Sequence, residues 1–200
     1  MAAGMKPAWP VILQTTLIGT AQGLFLVVFL LEVFRDTPRN FAILCCVVSL
    51  LLLACGLIGF FFRSVRARSA WRAPRAVANY LVLGLASGLM LAVPLAVLAW
   101  PQFAGPLALA AFVVAGAAWF SRIAALARSA RLRGKFAAAA RWSALVLLFP
   151  APGWLLGWGG GSLAAFAAAF ALHIAGVLAE RWVFLAGAAP PPDLHDQAGS

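Results

Sequence analysis

Long apolar stretches separated by short polar segments run along most of the chain. A helix needs about 20 apolar residues, at a rise of about 1.5 Å each, to cross the hydrocarbon core of a bilayer. Six stretches reach or approach that length: 10–33, 41–62, 76–99, 105–126, 142–158 and 163–185. The segments of roughly ten alternating residues that a membrane β-barrel needs are not found. The pattern therefore predicts an all-α, polytopic transmembrane helical bundle of six spans.

The fifth stretch departs from this pattern. It contains Pro150 and Pro152, and glycines follow at 157 and 159–161. Because proline lacks the N–H of a helical hydrogen bond, we expect this span to be bent or partly re-entrant. For the same reason we expect Pro94 to kink the third span. An arrangement of five spans, in which the fifth stretch does not cross, stays open.

Composition supports a membrane location. Of the 200 residues, 64% are hydrophobic and 10% are charged, whereas about a quarter of residues are charged in soluble domains. The first apolar stretch is longer than the roughly 7–15 residues of a signal-peptide core, so we expect it to be retained as a span. The cysteines Cys45, Cys46 and Cys55 make no CxxC pair, and we expect them to be small packing residues.

The formal charge of +10 is concentrated in the short polar segments. Most of the basic residues lie in two of them: Arg63, Arg66, Arg68, Arg72 and Arg75, and then Arg122, Arg128, Arg131, Arg133, Lys135 and Arg141. Because basic segments stay on the cytoplasmic side, we expect both segments and both termini to be cytoplasmic. This topology explains the charge without nucleic-acid binding. Residues 1–187 then form one transmembrane helical domain, and the proline-containing segment 188–200 a flexible polar tail.

Polar and small residues interrupt the apolar sequence of the first span. They include Gln14, Thr15, Gly19, Gln22 and Gly23. All of these except Gln14 share an arc of about 100° on a helical wheel, which is the width of a packing face. The Gly-x-x-x-Gly spacing lets a second helix approach closely, and the third span repeats it at Gly84 and Gly88. The polar side chains either hydrogen-bond across this contact or line a small polar site.

The last span contains two ionisable residues, His173 near its middle and Glu180 toward its inner end. They are seven residues apart, so they lie on one side of the helix, about 10 Å apart along its axis. An ionisable residue in a span costs about 2.5–3.5 kcal/mol to insert, so it normally has a partner or a function. The simplest partners are a neighbouring helix for His173 and a loop arginine for Glu180. Near the outer end of the first span, Glu32 is expected to pair with Arg35 at i,i+3 spacing.

Several kinds of chemistry lack the residues they require. Haem with two histidine ligands needs two buried histidines, and only His173 lies in a span, because His195 lies in the tail. We find no cysteine cluster for an iron–sulfur centre and no carboxylate–histidine set for a catalytic metal. A phosphate-binding glycine loop and a hydrolytic nucleophile set are also missing. We therefore expect a scaffold with a small polar site, and no haem, metal or catalytic residue in this chain.

Three passages resemble one family of membrane subunits. They are PAWPVILQTTLIGTAQGLFL at Pro7–Leu26, ANYLVLGLASGLMLA at Ala78–Ala92 and LAERWVFLAGA at Leu178–Ala188. In this order they are similar to the start, an interior helix and the end of the membrane anchor subunits of dimethyl sulfoxide reductase-type molybdoenzymes, a family that includes sulfite dehydrogenase anchors. Longer members have more spans, and a His-Leu-Gly-x-Pro stretch with a nearby glutamate. Here SAWRAPRA at 69–76 resembles that region faintly, without the histidine or the glutamate.

The resemblance implies a multi-pass, non-catalytic subunit of a bacterial inner membrane. Such a subunit tethers a molybdopterin catalytic subunit and a four-cluster iron–sulfur subunit, contacts membrane lipid, and exchanges electrons with quinone without carrying haem. The candidate quinone-binding residues are Gln14, Thr15, Gln22, His173, Glu180 and Trp182. Gln22 and His173, which lie deeper in the bundle, are second choices among them. Two alternatives stay open: a small transporter with the broken fifth helix at its substrate site, and a purely structural membrane subunit.

Overall fold

Seven α-helices make up most of the described chain. This computed structural model describes residues 9–61, 74–128, 135–158 and 160–187. The helices are α1 (Trp9–Phe34), α2 (Arg39–Phe61), α3 (Pro74–Ala99), α4 (Ala104–Arg128), α5 (Lys135–Leu148), α6 (Pro150–Trp158) and α7 (Leu163–Gly187), and a 3₁₀ turn at Pro101–Phe103 precedes α4. Within those ranges there is no strand. The prediction of an all-α bundle is confirmed.

Six segments are helical, long enough and apolar enough to cross a membrane. They are Trp9–Phe34, Arg39–Ile58, Tyr80–Ala99, Pro101–Ile123, Ala138–Trp158 and Leu163–Val183. The predicted boundaries lie within a few residues of these. Helices form here because hydrocarbon offers no hydrogen-bond partners, so each segment must satisfy its own backbone. An even number of spans is consistent with the prediction that both termini lie on one side.

The fifth span consists of two helices joined end to end. α5 ends at Leu148 and α6 begins at Pro150, so the predicted interruption at the prolines is confirmed. The intervening Phe149 packs its ring against Phe112 and Trp119 of α4, with centroid distances of 5.0 and 5.8 Å. Together α5 and α6 are long enough to cross the bilayer, which favours six spans over five. Pro94, in contrast, lies within α3, which continues past it to Ala99.

The third span lies at the centre of the bundle. α3 packs against α1, α4 and α7, while α2 packs mainly on α1, and α5 and α6 pack on α7. The cysteines of α2 divide between two environments: Cys45 is buried in the core, whereas Cys46 and Cys55 are exposed. The prediction that all three are packing residues is therefore right only for Cys45, because no described residue covers the opposite face of this peripheral helix.

The two Gly-x-x-x-Gly motifs pack directly against each other. A Cβ atom on Gly23 would fall on the carbonyl oxygen of Gly84, and one on Gly88 would fall on the backbone of Gly23 and Leu24. Gly84 in turn abuts the carbonyl of Gly19, at 2.8 Å from an ideal Cβ position. The predicted close approach is confirmed, and α1 and α3 run parallel, backbone against backbone.

Some predictions concern residues outside the described ranges. They are most of the first basic segment (62–73), the middle of the second (129–134) and the tail (188–200). The proposed cytoplasmic placement of these segments stays a prediction.

Candidate functional site

A groove of about 220 Å³ lies between α1 and α3. Gly19, Gly23 and Gly84, where the two helices touch, are part of its lining. Gly19, Gln22, Leu26, Tyr80 and Gly84 are among the residues that line it. Leu26 is exposed, so the groove opens sideways from the bundle. In a membrane this opening faces hydrocarbon, where an apolar ligand can enter by lateral diffusion.

Gln22 supplies a polar group to this apolar groove. It is exposed and lies halfway along α1, and within the described part of the chain its side chain has no hydrogen-bond partner. An amide left unpaired in a medium without water costs roughly 1–3 kcal/mol by protein mutational data. A ligand with a carbonyl or hydroxyl oxygen would satisfy the side-chain N–H groups of Gln22 at this depth.

The threonines of α1 do not extend this polar surface. Thr15 bonds the carbonyl of Val11 at 2.8 Å, Thr16 that of Ile12 at 2.8 Å, and Thr20 that of Thr16 at 2.9 Å. Each hydroxyl proton is thus directed to a carbonyl of its own helix. In this arrangement Thr15 has no proton left to donate to a ligand.

Tyr80 links the groove to a cluster of buried charges at the end of the bundle where α1 begins and α7 ends. Its ring covers Gly19, with atoms 3.4 Å from an ideal Cβ position there. The guanidinium carbon of Arg181 lies 4.8 Å from the centroid of the same ring, within cation–π range. Next to it in sequence, Glu180 forms an ion pair with Arg122 of α4 at 2.9 Å. All three charged residues are buried, at 9% exposure or less.

The predicted ion pair of Glu180 with an arginine is confirmed, and its partner, Arg122, lies within α4 and not in a loop. The sequence did not identify which arginine, because the α4–α5 region contains several. The expected pair of Glu32 with Arg35 is wrong: both residues are exposed, and no ion pair joins them. α1 ends at Phe34, so Arg35 lies beyond the helix that would align the two side chains.

His173 is fully buried between three helices. Its Nδ1 lies 2.7 Å from the carbonyl oxygen of Leu148 at the end of α5. Because a carbonyl only accepts, Nδ1 carries a hydrogen and donates it. Its Nε2 lies 3.1 Å from the hydroxyl of Ser87 on α3. The predicted hydrogen bond to a neighbouring helix is confirmed, and it is made to two helices at once.

The carbonyl of Leu148 is available because of Pro152. In a continuous helix the N–H of residue 152 would donate to this carbonyl, but proline has none. The next N–H, of Gly153, bonds the carbonyl of Phe149 at 2.6 Å instead. The backbone of α7 can come close enough to supply a donor, because Gly176 lies directly against the backbone of Leu147 and Leu148. Pro152 is therefore the sequence signal for an orphan carbonyl at this point.

The predicted site residues do not all come together. Of the six, Gln22 lines the groove, while Glu180 reaches its edge through the neighbouring Arg181 and Tyr80. Gln14 and Trp182 are half-buried, and neither belongs to the groove lining. Sequence reasoning missed Tyr80, Ser87 and Arg181 as members of these sites. A tyrosine or an arginine near the end of a span, or a serine within one, is common in membrane helices and does not by itself indicate a site.

Comparisons with protein-family models, with curated proteins and with solved structures find no match.

Proposed function

We propose that this chain is the membrane anchor subunit of a molybdopterin oxidoreductase complex in a bacterial inner membrane. It tethers an iron–sulfur subunit and a molybdopterin catalytic subunit and exchanges electrons with the quinone pool. The observation that supports quinone exchange most directly is the groove between α1 and α3. It opens to hydrocarbon, contains the amide of Gln22, and borders buried charges through Tyr80.

Each feature of the groove matches a need of quinone chemistry. A quinone dissolves in hydrocarbon and presents carbonyl oxygens that accept hydrogen bonds, so it fits an apolar groove with one amide donor. Gln22 donates to one carbonyl, and the Tyr80 ring packs beside the headgroup. Gly19, Gly23 and Gly84 contribute only backbone atoms to the lining, and the planar headgroup can lie against these atoms.

Interconversion of quinone and quinol moves two electrons and two protons. The electrons pass to or from the iron–sulfur subunit, and this chain holds the headgroup and handles the protons. Glu180 is the carboxylate closest along the chain to Arg181, which covers Tyr80 at the groove. In this scheme Glu180 exchanges protons with the inner side, and its ion pair with Arg122 positions it.

The partner subunits dock on the side that bears the basic segments. Those segments, between α2 and α3 and between α4 and α5, also lie near anionic lipid headgroups. Each lysine or arginine there contributes about 1 kcal/mol to lipid attraction. Acidic surfaces on the partners would use the same charges.

One observation favours a second function, a small transporter. The break between α5 and α6 leaves the carbonyl of a helix end near the middle of the fifth span, and transporters bind substrates and ions at such broken helices. A transporter would act alone in liposomes, whereas an anchor needs its partners. A purely structural subunit would copurify with partners and bind no quinone.

The experiment that tests the groove compares two matched variants in native membranes. Gln22→Leu removes the amide in the groove, and Gln14→Leu makes the same change in the same helix outside it. With a photoreactive quinone analogue, we expect labelling of the peptides around Gln22 and Tyr80, and at least a several-fold loss of labelling in Gln22→Leu only. Equal labelling in both variants, or labelling confined to peptides outside the groove, would contradict the proposal.

A further inference from the structure

The imidazole of His173 lies at the C-terminal end of a helix inside the membrane. α5 ends at Leu148, and its carbonyl there accepts from Nδ1 of His173 at 2.7 Å. The last carbonyls of a helix carry partial negative charge, so this end favours a cation. Ends of broken helices at mid-membrane serve in the same way as cation and proton sites. Here the group placed at the helix end is itself able to take up a proton.

The hydrogen bonds around the ring are complete in either protonation state. In the neutral ring, Nδ1–H donates to Leu148 and the hydroxyl of Ser87 donates to Nε2. In the protonated ring, Nε2–H donates to the oxygen of Ser87, and the Ser87 hydroxyl turns to the carbonyl of Leu83, 2.9 Å away. Only one hydroxyl rotates between the two states. A serine can switch in this way because it is both a donor and an acceptor.

We propose that His173 is a reversible proton-binding site at the centre of the bundle, held in both its neutral and its protonated form by Ser87 and the end of α5. The proton comes from water and returns to it. Protonation reverses the direction of the bond to Ser87, makes that bond charge-assisted and strengthens the bond to Leu148. It therefore tightens the contacts of α7 with α3 and with the junction of α5 and α6. This inference does not depend on quinone exchange, since neither ring nitrogen faces the α1–α3 groove residues named above.

No other ionisable side chain lies within hydrogen-bond distance of the ring among the described residues. On α7 itself, Glu180 and Arg181 lie two turns toward the inner end. From α3 the nearest titratable group is Tyr80, at the level of Arg181, and from α5 it is Arg141, about two turns before Leu148. α6 contains no charged residue, and on α1 Glu32 lies at the outer end. The charge state of His173 is therefore set mainly by Ser87, Leu148 and burial.

The test is nitrogen NMR of the full chain with labelled histidine in lipid bilayers. The chain has two histidines, and His195→Gln leaves only the signal of His173. From about pH 8 to about pH 4, a range that covers most histidines in proteins, we expect the Nδ1–H neutral ring to convert reversibly to the imidazolium while the helices stay folded. A ring that stays neutral throughout, or converts only when the protein unfolds, would overturn the proposal.

A second measurement separates proton binding from simple packing. In Ser87→Ala the protonated ring loses more than the neutral one, because hydrogen bonds to charged groups are about twice as strong. Half-conversion should then need a pH lower by roughly 0.5–1 unit. Ser143→Ala is the matched control, since its hydroxyl bonds its own helix at Ala139 and lies exposed. An unchanged titration in Ser87→Ala would contradict the role given to Ser87.

Discussion

The side chain of His173 replaces a backbone donor that the helix at Leu148 has lost. Its Nδ1–H donates to the Leu148 carbonyl at 2.7 Å, at the position where Pro152 has no N–H to offer. A second side chain supports the same helix end, since Nε1–H of Trp119 donates to the carbonyl of Leu145 at 2.9 Å. The break in the fifth span is thus held from both sides, by α7 and by α4.

This relationship predicts a measurable coupling between positions 173 and 152. Pro152→Ala restores the N–H, so the Leu148 carbonyl no longer depends on the imidazole. His173→Ala should then cost less in the Pro152→Ala protein than in the parent, by about 0.5–3 kcal/mol, the range found for contacting groups. The measurement is a double-mutant cycle of unfolding free energies in mixed detergent micelles. If the losses of unfolding free energy in the two single variants simply add in the double variant, the hydrogen bond does not couple the two positions.

The packing of α1 against α3 predicts that Gly→Ala substitutions change stability by different amounts at different positions. Gly23→Ala and Gly88→Ala place a Cβ on the backbone of the opposite helix, so each should destabilise the bundle by roughly 1–3 kcal/mol, as overpacking does. Gly105→Ala is the control, because nothing lies within 4 Å of its Cβ position. That variant should be neutral or slightly stabilising. Thermal unfolding in detergent measures all three, and equal stability would refute the close approach.

The buried ion pair predicts that removing one of its charges destabilises the protein more than removing both. Glu180→Gln leaves Arg122 buried without its partner, which should cost about 3–5 kcal/mol. The double variant Arg122→Met with Glu180→Leu removes both charges and should recover most of that loss. Glu32→Gln changes an exposed carboxylate that forms no ion pair with any described residue, and it should change stability by less than about 0.5 kcal/mol. If the double variant is as unstable as Glu180→Gln, the charges are not the cause.

The topology predicts that both termini face the cytoplasm. Six spans return the chain to its starting side, and most basic residues lie in segments that would share that side. On the opposite side, the α1–α2 connection contains Arg35 and Asp36, and α2 begins with Arg39. Reporters fused before α1 and after α7 should both be active in the cytoplasm. Activity of the two reporters on opposite sides would mean an odd number of spans.

Much of the fold is predictable because lipid restricts the possibilities. A segment in hydrocarbon must be helical and of a fixed length, so the apolar runs define the spans to within a few residues. The prolines locate the break in the fifth span, and the paired glycines indicate a close contact. Which helix receives a contact depends on rotation and tilt in the assembled bundle. For that reason the sequence could not pair Gly23 with Gly84, or Glu180 with Arg122.

In the candidate site, too, the sequence identifies individual residues but not the contacts that they make. Gln22 stood out as an amide in a span, and it does line the groove. His173 stood out too, and both its ring nitrogens are engaged inside the protein, so its part in quinone binding stays a prediction. Pro152 indicates a carbonyl that lacks its helical donor, but the side chain that takes the donor's place depends on how α7 packs against α5, which the sequence does not give. Thr15 directs its hydroxyl proton to its own backbone, and its part in quinone binding stays a prediction.

The measurement that tests the central claim most directly is affinity purification of the full chain from native membranes in mild detergent. Mass spectrometry would identify its partners, and molybdenum, iron and extractable quinone would be quantified in the same sample. An anchor of a molybdoenzyme predicts two stoichiometric metalloprotein partners with molybdenum and iron, and bound quinone that is lost in Gln22→Leu but kept in Gln14→Leu. Metals and partners without bound quinone would indicate that the chain is a purely structural subunit. A folded chain that emerges alone, without metals or partners, would contradict the account.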